Sequence, residues 1–393
     1  MTLNASRKST LFKPSEPARG TPLTTSLPGW TKTQNLDSQI LPIGILHGEG
    51  IGPEIMSATV EVLGALQHVT PYQIEIRFSS FLVNQAEKSD RKALTPEIIE
   101  WVETIFNDGG AFLCGPAGNR FVYDLRAQFD LFCKLTPILP SASLADSGVI
   151  RQPSREHVDM IVVRENVSGL YFGEWKRKLN EAGQDEVRHT FKYSADEVRR
   201  IVEVGIQLAQ SRRGRLTLVV KPDGIPGVSK LWTDIFHDSI HQTSLTTNVL
   251  EVDNACYQII AGAQDLDVIV APNLFGDILA DNAALLLGSR GLSYSGNFAA
   301  NGKATYQTGH GAAHNIAGKG IANPIGQILS TAFMLRESFG LLDAAAAIET
   351  AIEQTLALGI RTPDIAAPGS TVVGTEEMGH HIAKGVEAIM GSQ

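Results

Sequence analysis

Several protein classes are excluded by what this sequence has little of. Only three cysteines, Cys114, Cys133 and Cys256, occur in 393 residues. An odd number in apolar surroundings is no disulfide framework or zinc site. It reads as small buried hydrophobes in a reducing, cytoplasmic compartment. Basic residues are outnumbered, 33 against 42 acids for a formal charge of −9, and they form no stripe that would hold nucleic acid. No apolar run reaches the roughly 18 residues of a membrane helix. The glycine-lysine P-loop is missing. Gly48-Glu49-Gly50-Ile51-Gly52-Pro53 follows a strand pattern and opens a helix, but it ends on proline and so fails the dinucleotide fingerprint.

Residues 1–39 are rich in Ser, Thr and Pro and have no apolar period, which predicts a disordered or loosely attached extension. Their Ser/Arg-rich, acid-poor balance also leaves organellar import open.

From Leu41 onward, strand patterns alternate with helical ones. LPIGILHG, YQIEIRF, GAFLCGP, residues 134–139, VDMIVVREN, GLYFGEW and RLTLVVKPDG read as strands. Helices are expected over 52–67, 95–106 (Thr95 as N-cap, Pro96 in the first turn), 125–132, 227–240 and about sixteen residues from Ser194. Amphipathic runs at 324–339 and 341–358 close the chain. The alternation predicts an α/β fold with a largely parallel sheet.

Three acids stand out. Asp277 and Asp281 lie four residues apart in an apolar helical run over 274–287, which puts their Cβ atoms roughly 6 Å apart on one face. Asp253 follows the strand-like TTNVLEV and so sits at a strand's carboxyl end, where open α/β sheets place ligands. Two readings are open. The acids are a solvated face and an N-cap, or they hold a hard cation such as Mg²⁺ or Mn²⁺.

Taken together, HGEGIGPEI, LRAQFDLF, VVRENVSGLYFGE, NLFGDILAD and HGAAHNIAGKGIANP resemble the β-decarboxylating dehydrogenase family of isopropylmalate, isocitrate, homoisocitrate, tartrate and malate enzymes. The GLYFGE block is similar to the isopropylmalate branch. The resemblance implies an isopropylmalate dehydrogenase-like two-lobed fold and a homodimer with an exchanged arm and shared active sites. The large cofactor-binding lobe would be 40–131 plus 288–393. The middle lobe, 132–287, would carry the metal site and dimer arm.

It also implies the chemistry. Hydride leaves C2 of a 2-hydroxy acid for NAD, the β-keto acid loses CO₂, and a divalent ion acts as Lewis acid throughout. Asp253, Asp277 and Asp281 match the metal carboxylates, with Asp253 expected from the second subunit. Lys221 matches the base, its pKa expected to fall beside a cation, and Tyr171 matches the proton donor. Arg126 and Arg164 match two of three carboxylate-binding arginines. The third position is Thr136, which carries no charge. Lys134, two residues earlier on the same strand face, supplies a substitute cation or is a solvated lysine. Ile51, His310, Gly311, Ala313 and Asn323 match cofactor positions. There Gln307 stands for a glutamate, His314 for a proline, and Asn315 for the acid that reads NAD ribose. Losing that charge leaves NADP open. Val122 and Tyr123 fall where the substituent on C3 is read, and favour an apolar or aromatic one. The expectation is an isopropylmalate dehydrogenase-like enzyme acting on a small molecule, a 3-substituted malate that, given Thr136, is a variant of the branch's usual substrate. A catalytically silent or regulatory subunit is the alternative.

Overall fold

The computed structural model describes residues 22–27, 40–79, 94–118 and 120–391. Strand β1 (Ile40–Leu46) is buried beyond its first residue, as an apolar run between two parallel neighbours must be. Those neighbours are β2 (Gln73–Phe78) and β3 (Ala111–Cys114), reached through helices α1 (Gly52–Val69) and α2 (Pro96–Asn107). Thr95 caps α2 as predicted, accepting from the Ile98 amide at 3.5 Å.

Helix α3 (Phe121–Gln128) leads into β4 (Cys133–Ile138) and β5 (Met160–Glu165). An exposed antiparallel hairpin follows, β6 (Glu174–Leu179) with β7 (Asp185–Thr190). Next come α4 (Ala195–Ser211), β8 (Arg215–Val220), α5 (Pro226–Ile240), β9 (Thr246–Glu251), α6 (Val252–Ala261), β10 (Val268–Ala271) and α7 (Asn273–Ala283). Strands β11 (Tyr294–Phe298) and β12 (Ala304–Thr308) and helices α8 (Ile325–Glu337), α9 (Leu342–Ala357) and α10 (Thr375–Met390) complete the chain. Ser194 and Glu197 close a capping box on α4, which fixes where that helix starts.

One ten-stranded sheet runs through the molecule in the order β2-β1-β3-β12-β11-β4-β5-β10-β8-β9. Its outer pairings are parallel, and the antiparallel ones, β12 with β11, β11 with β4 and β4 with β5, are grouped at the centre. Residues 132–287 supply the five strands on one side of the β11–β4 join, and the two chain ends supply the other five. The predicted α/β class with a largely parallel sheet is what the structure shows.

Local expectations fail in three places. The helix expected over 125–132 begins at Phe121 and stops at Gln128, because Phe129 and Leu131 turn inward to meet the sheet. GLYF forms a 3-10 turn over Leu170–Phe172, and only the residues after it are extended. Cys114 and Cys133 are buried thiols, but Cys256 is only partly covered. Most of the predicted N-terminal extension lies outside the described residues. Its 22–27 segment is docked, with the Thr24 amide donating to Glu337 Oε2 at 2.9 Å and Leu27 in the core. Among the described residues no helix is long and apolar enough to cross a membrane.

Candidate active site

A cavity of about 380 Å³ opens against the antiparallel centre of the sheet. Lys134 and Thr136 project into it from the same face of β4, and Arg164 of β5 stands directly opposite Lys134 in register. Ser295 and Gln307 line it from β11 and β12, and Asp277 and Asp281 from α7. The loop after β3 and helix α3 add Gly118, Val122, Tyr123 and Arg126.

Helix α7 approaches β5 closely because of Gly276. A Cβ there would lie 2.7 Å from the Arg164 Cβ, so only glycine lets Asp277 reach the guanidinium. Arg164 Nη1 pairs with Asp277 Oδ1, while Nε and Nη2 donate to Asn273 Oδ1 at 3.0 and 2.7 Å. Tyr171 donates its hydroxyl to the other Asp277 oxygen at 2.9 Å. Asp277 is held below the usual carboxylate range: Arg164, then Lys134, outweigh the burial that would raise it. Burial and the Asp277 charge push the Tyr171 phenol up, so it stays protonated and able to donate.

The cations are less evenly served. Arg126 is buried, its Nε has no partner, and no protein acceptor binds the rest of its guanidinium among the described residues. Burial, followed by the Arg164 charge, brings Arg126 down to about 10. Lys134 is 8% exposed and likewise has no acceptor among those residues. Burial and the two arginines bring its ammonium down to about 7. Asp277 and Asp281 act on these cations only at a distance, and buried cations with no hydrogen-bonded acceptor are costly unless an anion arrives to meet them. Of the two readings open for Lys134, the solvated lysine is not what the structure shows: Lys134 is buried and faces the cavity.

Tyr123 stacks edge-on with Tyr171 and Phe172, with centroids 5.3 and 6.2 Å apart. Arg120 lies over Tyr123 and Trp175. Tyr123 thus lines the cavity beside Val122, backed by the Tyr171 and Phe172 rings.

Several predicted site residues do not line the cavity: the Tyr171 hydroxyl reaches it only through Asp277; Ile51, Ala313, Asn315 and Asn323 stand behind the cofactor-side wall; and two lie elsewhere. Lys221 and Asp253 do not line this cavity. They sit together at the ends of β8 and β9, where Lys221 Nζ contacts Asp253 Oδ1 at 2.8 Å and Glu251 Oε2 at 2.7 Å. These bonds, Asp253's first, raise the Lys221 pKa, opposite to the predicted fall. A lone chain keeps Lys221 cationic. The positive groups over the two α7 acids are also arginines in this chain: Arg164 at Asp277, and Arg290 at Asp281 with Nη2 to Oδ2 at 2.9 Å. Among the described residues no three His, Cys, Asp or Glu side chains converge as a cation cage.

On the cofactor side, Gln307, His310 and Gly311 line the cavity. The Ile51 amide donates to Ala312 O at 2.9 Å, tying the Gly48–Gly52 turn to this loop, and Ala313 sits at a φ of +43°. Asn315 is exposed, whereas the Asn323 amide is engaged structurally, with Asp364 at 3.1 Å and the Ile325 amide at 3.0 Å. Asn323 therefore positions the loop rather than offering a free amide. Sequence reasoning missed Arg290, Asn273 and Glu49. Glu49 is a buried acid on the cavity wall, 3.8 Å from His314. Asn273 was legible only as the residue before an apolar helix. Nothing in the local pattern distinguishes Arg290 from a surface arginine.

The site is a cationic cleft at the strand reversal of a mainly parallel sheet, with two helix-borne carboxylates and a glycine-rich loop around it. Residues 42–382 match the family model described as isocitrate/isopropylmalate dehydrogenase. The chain is 38% identical over 363 residues to the 3-isopropylmalate dehydrogenase of Carboxydothermus hydrogenoformans, covering 88% of this chain and 94% of that one. It is 34% identical over 354 residues to the Bacillus subtilis enzyme of the same name, covering 86% and 95%. The solved isocitrate dehydrogenase of Methylococcus capsulatus superposes with a TM-score of 0.78 at 28% identity, covering 88% of this chain and 99% of that one. The chain belongs to the isocitrate/isopropylmalate dehydrogenase family. It is a decarboxylating hydroxy acid dehydrogenase, nearest the isopropylmalate branch.

Proposed function

We propose that the protein catalyses NAD-dependent, divalent-metal-dependent oxidative decarboxylation of a 3-substituted malate whose substituent is apolar or aromatic. The observation that carries this reading is the pair of buried, acceptor-free cations, Arg126 and Lys134, facing one cavity that Tyr123 and Val122 also line. Arg126 supplies the planar fork that fits one carboxylate, and Lys134 supplies a point charge for the other, where Thr136 offers only a hydroxyl. Tyr123 and Val122 shape the subsite for the C3 substituent.

The donor set at α7 fits a hard cation. Asp277 and Asp281 offer carboxylate oxygens to the cavity, and a guanidinium at each already occupies a place where positive charge is favoured. Asp253 of the partner subunit would add a third carboxylate in a homodimer, and substrate and water would supply the rest. When bound, the ion supplies Lewis acidity toward the hydroxyl and carboxylate oxygens, and NAD supplies the hydride acceptor.

Tyr171, kept protonated, delivers a proton to C3 after CO₂ leaves. Lys221 takes the hydroxyl proton as a neutral amine, which requires that its ammonium first leave both Asp253 and Glu251 and release its own proton. We assign 40–131 plus 288–393 to the cofactor lobe and 132–287 to the metal lobe. The exposed β6–β7 hairpin, with Trp175, Leu179 and Val187 on its surface, is the dimer arm.

The test is a screen of 2-hydroxy diacids with NAD or NADP, plus Mg²⁺ or Mn²⁺. Reduced nicotinamide formed from a 3-alkyl or 3-arylmalate supports the proposal. Nucleotide binding without turnover of any diacid would favour a silent subunit.

A further inference from the structure

The two acids of α7 are neutralised differently. Asp277 is locked: its partner Arg164 has a side chain only 3% exposed, is anchored by Asn273, and Tyr171 holds the second oxygen. Asp281 is loose. Its one direct partner among the described residues is Arg290, and both side chains are about half exposed, at 50% and 54%. An exposed pair of this kind holds weakly and exchanges easily.

Arg290 also faces the other side of the cavity. Its Nη2 lies 3.4 Å from Gly309 O, so the guanidinium spans the gap between α7 and the glycine-rich loop. The next residue supplies an independent sign of a ligand. His310 Nδ1 lies 2.9 Å from Gly311 O, and a carbonyl can only accept, so this nitrogen carries the proton. Nε2 is then a lone pair, and it is buried without a partner. Burial lowers the His310 pKa and the Arg290 charge adds to that, which keeps the ring neutral. A guanidinium next to a neutral acceptor suits a phosphate next to a hydroxyl, the chemistry of a ribose phosphate.

We propose that Arg290 is a coenzyme-phosphate ligand held in reserve: it covers Asp281 while no cation is bound there and turns to a nucleotide phosphate beside His310 when a divalent ion takes Asp281. This rests on the dehydrogenase reading above. Arg126 and Lys134 are already matched to the hydroxy acid's carboxylates. A guanidinium displaced from Asp281 therefore needs a different anion, and a nucleotide phosphate on the loop side meets that need. Exchange of one counterion between two ligands makes their binding mutually favourable by the same factor in each direction.

The test measures binding, not turnover. Mn²⁺ alone is titrated calorimetrically, and NADH by fluorescence with and without Mn²⁺. In the wild-type protein, Mn²⁺ tightens NADH binding. Arg290→Gln removes the competing cation, so Mn²⁺ alone binds about two- to five-fold tighter. It binds NADH with Mn²⁺ present roughly ten-fold weaker and loses most of the coupling. Arg290→Lys restores part of the coupling. Asp281→Asn frees the guanidinium permanently and tightens NADH binding in the absence of Mn²⁺.

Wild-type coupling in Arg290→Gln, or no gain in NADH affinity for Asp281→Asn, overturns the role of Arg290 while leaving the dehydrogenase reading intact. A wild-type protein that binds neither Mn²⁺ nor NADH overturns both.

Discussion

Lys134 of β4 and Arg164 of β5 stand directly opposite each other across an antiparallel pair, two buried cations on one sheet face. Like charges at facing positions destabilise a sheet. Arg164 is compensated by Asp277, whereas Lys134 has no acceptor among the described residues. The arrangement makes sense as a receptor for an anion that the free protein lacks.

Replacing Lys134 with methionine separates the two sides of that arrangement. The variant is expected to melt higher than the wild type, because removing an unpaired buried charge stabilises the ligand-free fold by about 1–3 kcal/mol. It is also expected to raise KM for the hydroxy diacid by about ten-fold or more, with a smaller effect on kcat. Thermal melts and steady-state kinetics on the same preparation check both halves.

The same lysine sets a pH dependence. Its folded-state value, about 7, lies below the ordinary 10.5. Between those values the unfolded chain binds more protons than the folded one, so stability attributable to this group rises with pH across that window. Anion affinity moves the other way, weakening as the ammonium deprotonates above about pH 7. Melting temperature and KM measured against pH should both show the trend. Lys134→Met should show neither.

Asp277 carries two duties, and its amide variant exposes both. In Asp277→Asn, Arg164 loses its only carboxylate partner among the described residues, and Tyr171 is left facing an amide. A loss of about 1–3 kcal/mol in chemical unfolding is expected, together with weakened Mn²⁺ binding. Because Lys221 lies outside the cavity that holds Asp277, mixed dimers of Lys221→Ala and Asp277→Asn chains should regain turnover that neither parent shows. Inactive mixtures would count against shared sites.

Tyr171 and Lys221 should fail at different steps. Tyr171→Phe leaves hydride transfer nearer normal and slows the decarboxylation half, where the enolate left by CO₂ loss must be protonated at C3, while Lys221→Ala slows hydride transfer itself. Comparing oxidation of the hydroxy acid with decarboxylation of the corresponding keto acid distinguishes them. Equal loss in both half-reactions would argue against these roles.

The sequence revealed the fold where one period dominates. Buried β1, capped α2 and boxed α4 begin within a residue or two of their predicted starts, because local signals and packing agree there. Phe129 and Leu131 misled the reading of α3: their apolar character serves the sheet contact, and helical periodicity cannot tell the two apart. The cleft residues on β4, β5 and α7 were legible as motifs, and Lys134 and Thr136 followed from a period of two. The counterions were not. Whether Lys221 meets a cation or Asp253, and whether Asp281 meets a metal or Arg290, depends on side chains brought together only by the tertiary fold.

The central claim is tested most directly by following NADH and CO₂ together while the purified protein meets 3-isopropylmalate, a 3-benzylmalate and isocitrate, with Mn²⁺ and after chelation. The expected result is equimolar NADH and CO₂ from at least one of the two 3-substituted malates, lower kcat/KM for isocitrate, and no reaction once the metal is removed. NADH formed without CO₂, a preference for isocitrate, or turnover that survives chelation would contradict the account.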